Sequence, residues 1–116
     1  MKKTFLILTL IVLSSHSFAA SKTHPCAKDA IWNADKLLRL HFDQDSNSTN
    51  IENLGIENRV SIRPSILAPS KKGKYEVLEV LGYIYKADYR MRFTYARLGK
   101  TCILMGQEIL EMSNPF

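Results

Sequence analysis

The chain has 116 residues, 46% of them hydrophobic, with 16 basic and 11 acidic side chains and a formal charge of +5. That length makes one small domain, and a charge this modest does not by itself mark a nucleic-acid binder. With two cysteines and no Cys-x-x-Cys spacing there is no dithiol redox motif, and once the two pair no thiolate is left to hold a metal.

The N-terminus is expected to be a leader. Met1-Lys2-Lys3 is basic, Phe5–Leu13 is an unbroken apolar or neutral run, and Ser14–Ala20 turns small and polar, the three regions of a secretory signal peptide. Ser17-Phe18-Ala19 fits the small-x-small cleavage rule, which puts the cut after Ala19, with Ala20 as the alternative. The run is too short to anchor stably in a bilayer, and no Cys at the cut offers a lipid anchor. The expected division is therefore a leader over 1–19 and a single α+β domain over 20–116, in the bacterial periplasm or outside the cell. Removing Lys2 and Lys3 leaves 14 basic against 11 acidic residues, so the formal charge falls to near +3.

Thr23-His24-Pro25 precedes a helix expected over Cys26–Phe42. Thr23 or His24 is placed to cap it, and Pro is at home in a first turn, where its missing N–H costs nothing. Ala27, Ile31, Ala34, Leu38 and His41 recur in steps of four and three, widened by Ala30 and Leu37, which makes one amphipathic face. Trp32 and Leu40 fall at the edges of that stripe, within reach of a sheet's flank. The polar stretch Asp43–Asn50 has the composition of a loop. It lacks the Gly and downstream Glu of an EF-hand, so no calcium site is expected. Ile51–Ile56 reads as a helical turn or irregular segment. Asn58–Leu67 is a strand candidate that Pro64 confines to an edge.

Three strands follow: Lys74–Lys86, Tyr89–Leu98 and Thr101–Met112. Tyr89, Met91, Phe93 and Tyr95 alternate with Arg90, Arg92, Thr94 and Ala96, the period of a half-buried strand. Ala87-Asp88 and Gly99-Lys100 are the expected two-residue turns. That register places Gly82, Phe93 and Gly106 side by side on the helix-facing side. A ring over glycines, a close helix approach, or a bulge at each glycine all account for them. The other side then carries Tyr75, Val77, Glu79, Leu81, Tyr83 and Tyr85, then Arg90, Arg92, Thr94 and Ala96, then Ile103, Met105, Gln107 and Ile109. Glu108 is expected on the helix-facing side. A face mixing Tyr, Arg and Met has the composition of a protein interface.

Cys26 and Cys102 are expected to pair, stapling the start of the helix to the last strand. One N-terminal amphipathic helix on an antiparallel meander of three to four strands is an α+β layer. Its element order is similar to that of cystatin-like folds, a likeness of order alone that carries no function.

Catalytic candidates are few. No Ser sits in a nucleophile elbow, no Gly-rich phosphate loop is present, and His41 near Asp43 reads first as a helix-end histidine packing its ring. No catalytic residue, cofactor or metal is expected. Arg90 and Arg92 with Tyr83 and Tyr85 have the mix of a single-strand binder, but export and the small mature charge argue against nucleic acid. The expected function is that of a small exported, non-enzymatic binding protein, such as an inhibitor, an immunity protein or an accessory subunit. Tyr83, Tyr85, Arg90, Arg92 and Met105 would meet an unknown protein partner or a second copy. The alternative is a carrier or self-associating protein with an apolar pocket between helix and sheet, lined by Trp32, Met91, Phe93 and Tyr95.

Overall fold

A computed structural model describes residues 23–42, 53–85 and 87–116; the expected leader, the polar stretch 43–50 and residue 86 lie outside the described residues. A helix α1 (Ala27–Phe42) is followed by strands β1 (Leu54–Leu67), β2 (Lys74–Ile84), β3 (Ala87–Leu98) and β4 (Thr101–Glu111). The strands form one antiparallel sheet in the order β1-β2-β3-β4, with α1 across one face, mainly over β1 and β2. The protein is thus an α+β domain in which one helix packs on a four-stranded meander.

His24 begins the helix. Its carbonyl accepts from the Ala27 N–H at 2.9 Å, and its Nδ1 accepts from the Cys26 N–H at 3.0 Å. Pro25 stands in the turn that leads into the helix, where its missing N–H costs nothing. The buried stripe is Ala27, Ala30, Ala34, Leu37 and Leu38. Three alanines hold the helix axis close to the sheet, where it meets Leu78, Val80, Ile84, Tyr89, Met91, Phe93 and Tyr95. Trp32 and Leu40 do not reach the sheet: they are 63% and 68% exposed, and Trp32 lies beneath the Lys36 ammonium, 4.6 Å from its ring centroid.

The structure corrects three features of the expected sheet. β1 starts at Leu54, so the 54–56 part of the segment read as a turn or irregular is already strand, while 51–52 lie outside the described residues. Pro64 falls in the gap where the β1–β2 register slips between Arg63 and Ile66, on the sheet's edge as a missing N–H requires. The β2–β3 connection lies between Ile84 and Ala87 instead of at Ala87-Asp88: Ile84 pairs with Ala87 and Tyr83 with Asp88. Tyr85 is thus a turn residue with φ of 53° and no longer a strand residue. A left-handed Tyr costs roughly 1–2 kcal/mol. Against it stand the pairs Leu78–Phe93 and Val80–Met91 in the core and Glu79–Arg92 on the other face.

The third correction is a bulge in β4. Gly99, at φ of 60°, closes the expected β3–β4 turn, and Arg97–Cys102 and Tyr95–Leu104 pair as expected. The register then slips by one residue at Met105, so Thr94 faces Gly106 and Phe93 faces Gln107. Cys102 must face the helix to bridge Cys26, and Ile109 also packs against the core. The two are seven residues apart, an odd number, and a regular strand cannot turn both inward. The slip moves Gln107 and Ile109 to the helix-facing side and Glu108 to the opposite one. It also separates the expected row of glycines. Gly82 sits under the helix, where an added Cβ would lie 3.0 Å from Leu38, Ile56 and Met91. Gly106 adjoins the bulge on the far face.

Candidate functional site

Three side chains at the N-terminal end of α1 tie helix to sheet. Tyr95 donates its hydroxyl to Asp29 Oδ2 at 2.7 Å, and Asn33 Nδ2 donates to Asp29 Oδ2 at 2.8 Å. Burial, then the Asp29 hydrogen bond, hold the Tyr95 phenol well above its ordinary value near 10. Beside it, His24 Nε2 approaches Glu76 Oε1 at 3.4 Å, and Arg97 Nη1 donates to Glu76 Oε2 at 3.4 Å. Both nitrogens of His24 are thereby engaged, one by the helix start and one by Glu76. His41 sets its ring edge-on to Tyr89, centroids 5.7 Å apart, as a helix-end histidine that packs. Burial and then the Glu111 carboxylate raise the Tyr89 phenol.

The Tyr95 bond supplies a test of how this end is held. Tyr95→Phe is expected to lower stability by about 1 kcal/mol, the net contribution of one hydrogen bond, because the exposed Asp29 carboxylate keeps its Asn33 donor and solvent. The raised phenol adds a pH signature. The folded state keeps the proton above the ordinary value near 10 while the unfolded chain loses it. That contribution is therefore complete below pH ~10 and declines as pH climbs toward the folded value. Denaturant midpoints measured from neutral to alkaline pH should fall less steeply for Tyr95→Phe than for the parent chain.

The far face of the sheet bears the expected site. Ser61, Glu79, Arg92 and Glu108 stand directly opposite one another across the four strands. Arg92 Nε donates to Glu79 Oε1 at 3.0 Å and lies 4.0 Å from Glu108 Oε1; Arg90 Nε approaches the same Glu79 oxygen at 3.8 Å. Glu79 is the hub, with its side chain 14% exposed, while the two arginines are 27–30% exposed. On one side of this charged row lie Leu81, Arg90 and Leu110; on the other lie Arg63, Val77, Thr94 and Gly106. Val77, Thr94 and Gly106 of that row leave an open groove, which Arg63, Ile66, Arg92 and Glu108 flank.

Of the five expected contact residues, Arg90 and Arg92 are joined through Glu79. Tyr83 lies at the end of the same face with its ring over Gly55, where an added Cβ would meet it. Tyr83 and Tyr85 line a second open groove with Asn53 and Leu54. Met105 is the bulge residue of β4, half exposed, and is not part of the arginine cluster. Sequence reasoning put Glu79 on this face but did not make it the centre, and put Glu108 on the wrong face. The charge alternation Glu–Arg–Glu is the signal for both, once the β2–β3 turn is moved for Glu79 and the β4 slip is in place for Glu108.

Met91, Phe93 and Tyr95, expected around an apolar pocket, are fully buried and packed together, and Trp32 stands apart from them. Among the described residues no group of three or more His, Cys, Asp or Glu side chains is arranged to hold a metal, and no helix is long and apolar enough to cross a membrane. No family model matches the chain, and no curated protein or solved structure is detectably similar to it.

Proposed function

We propose that this is a small exported, non-enzymatic binding protein whose far sheet face docks a protein partner. The observation that supports it is a face left uncovered by the described elements. There Leu81, Tyr83, Ile103 and Leu110 stand exposed around two arginines that share one carboxylate. Among the described residues a single helix covers the other face and no element covers this one, and apolar side chains exposed on an open sheet face suit a docking surface. Two guanidiniums joined to one glutamate leave donors for a partner's carboxylates, and Tyr and Arg are the usual energetic anchors of interfaces. The Cys26–Cys102 disulfide suits an oxidising compartment, in keeping with export.

The test is capture from a periplasmic extract, with the mass of the complex measured by light scattering. Arg92→Glu and Tyr83→Ala should each weaken the specific complex by about thirtyfold, the ~2 kcal/mol of an interface anchor. Tyr83→Ala removes no ion pair, so it separates docking from any loss of fold caused by turning the Glu79–Arg92 attraction into repulsion. A partner that binds both variants as tightly as the parent, or a parent that captures nothing, would remove this reading.

A further inference from the structure

We infer a second interaction surface, at the end of the sheet where the β1–β2 and β3–β4 hairpins turn, suited to the surface of an anionic phospholipid bilayer. β2 begins there and β3 ends there. Continuing their register sets Lys74 level with Arg97 and residue 73 level with Leu98, so the two tips finish almost flush. They lie about two strand spacings apart, ~10 Å. The first tip carries Lys71, Lys72 and Lys74, and the second carries Lys100; all four are exposed. Among the described residues, none of the four is within ion-pair distance of a carboxylate. Arg97 and Glu76, at the same end, are paired with each other.

Each tip also presents an apolar side chain beside its lysines. Leu67, paired with Lys74, is 57% exposed, and Leu98, two residues before Lys100, is 68% exposed. Leucine next to lysine at both turns is the combination that a headgroup layer rewards: the ammonium groups meet lipid phosphates while the leucines reach the acyl boundary. The opposite end of the sheet bears Glu57, Asp88 and Glu111, set near Gly82 and Tyr83 by the register. The four lysines are therefore gathered at one end of the sheet although the net charge is modest. A soluble acidic protein would satisfy the lysines but would leave the exposed leucines at both tips without a stated purpose. Docked this way, the sheet stands on the bilayer and the arginine-bearing face remains open to a partner.

The test is co-sedimentation with vesicles of phosphatidylglycerol and phosphatidylethanolamine, with phosphatidylcholine vesicles as the neutral control. It uses the protein as recovered from cells, with its N-terminus read by mass spectrometry. A retained leader would act equally on every variant, so the comparison between variants isolates the tips. The parent should bind the anionic vesicles and not the neutral ones, more weakly as salt rises. At roughly fivefold per lysine, the variant Lys71→Ala, Lys72→Ala, Lys74→Ala, Lys100→Ala should lose several-hundredfold in partition. Leu98→Ser should lose about tenfold with all four lysines in place. These positions are exposed turns or strand ends, and an unchanged thermal midpoint confirms that the variants fold. Equal binding by parent and four-lysine variant overturns the inference. So does retention on immobilised polyglutamate with no binding to anionic vesicles, which would assign the tips to a soluble acidic partner.

Discussion

Replacing Cys26 and Cys102 together by alanine is expected to lower stability by about 4 kcal/mol. The bridge closes a sequence separation of 76 residues, nearly the whole described domain, and in the chain-entropy view the gain grows with that length. Domains of this size hold a net stability of roughly 5–15 kcal/mol, so the loss is a large share of it. The place of the bridge makes it matter more. α1 lies mainly over β1 and β2, and Cys26, just before its first turn, ties the helix to β4 at the opposite edge of the sheet. Guanidinium unfolding of the double variant, and of the parent with and without reductant, measures this. An unchanged midpoint would mean that core packing alone restrains the chain.

Gly82→Val is expected to cost about 2 kcal/mol net and to lift the helix. A Cβ at Gly82 already meets the terminal carbons of Leu38, Ile56 and Met91 at 3.0 Å, one from the helix and two from the neighbouring strands. Alanine can be absorbed by small shifts of those flexible ends. Valine adds two methyl groups to a filled space, and overpacking costs ~1–3 kcal/mol. Relief of glycine's backbone entropy returns about 0.5–1 kcal/mol, too little to offset it. Gly106→Val is the control on the same sheet: its Cβ would meet only Thr94, at 3.9 Å. Thermal unfolding of the two variants should therefore separate clearly. Equal midpoints would show that the helix does not rest on Gly82.

The two proposed surfaces use different parts of one scaffold. The far face offers charge and apolar area across the strands, while the hairpin tips offer lysine and leucine at their ends. Each has variants that leave the other untouched: Tyr83→Ala spares the lysines, and the four-lysine variant spares Glu79, Arg90 and Arg92.

Alternation and spacing by themselves determined the helix, the last three strands, which side chains of β2 and β3 look toward the helix, and the pairing of the two cysteines. A period of two or of 3.6 is written in every residue of an element, so it survives local error. Moving the β2–β3 turn by two residues leaves each face of β2 and β3 intact, which is why the faces of those strands were legible although the register was not. What only the tertiary structure decided are the choices to which periodicity is blind. The connection between Ile84 and Ala87 accepts a left-handed Tyr85 because packing Leu78 on Phe93 and joining Glu79 to Arg92 outweigh the local preference for Asp in a turn. The slip at Met105 exists because Cys102 and Ile109 must both face the helix from positions of opposite parity. It carries Glu108 to the far face, where it completes the charged row with Glu79 and Arg92.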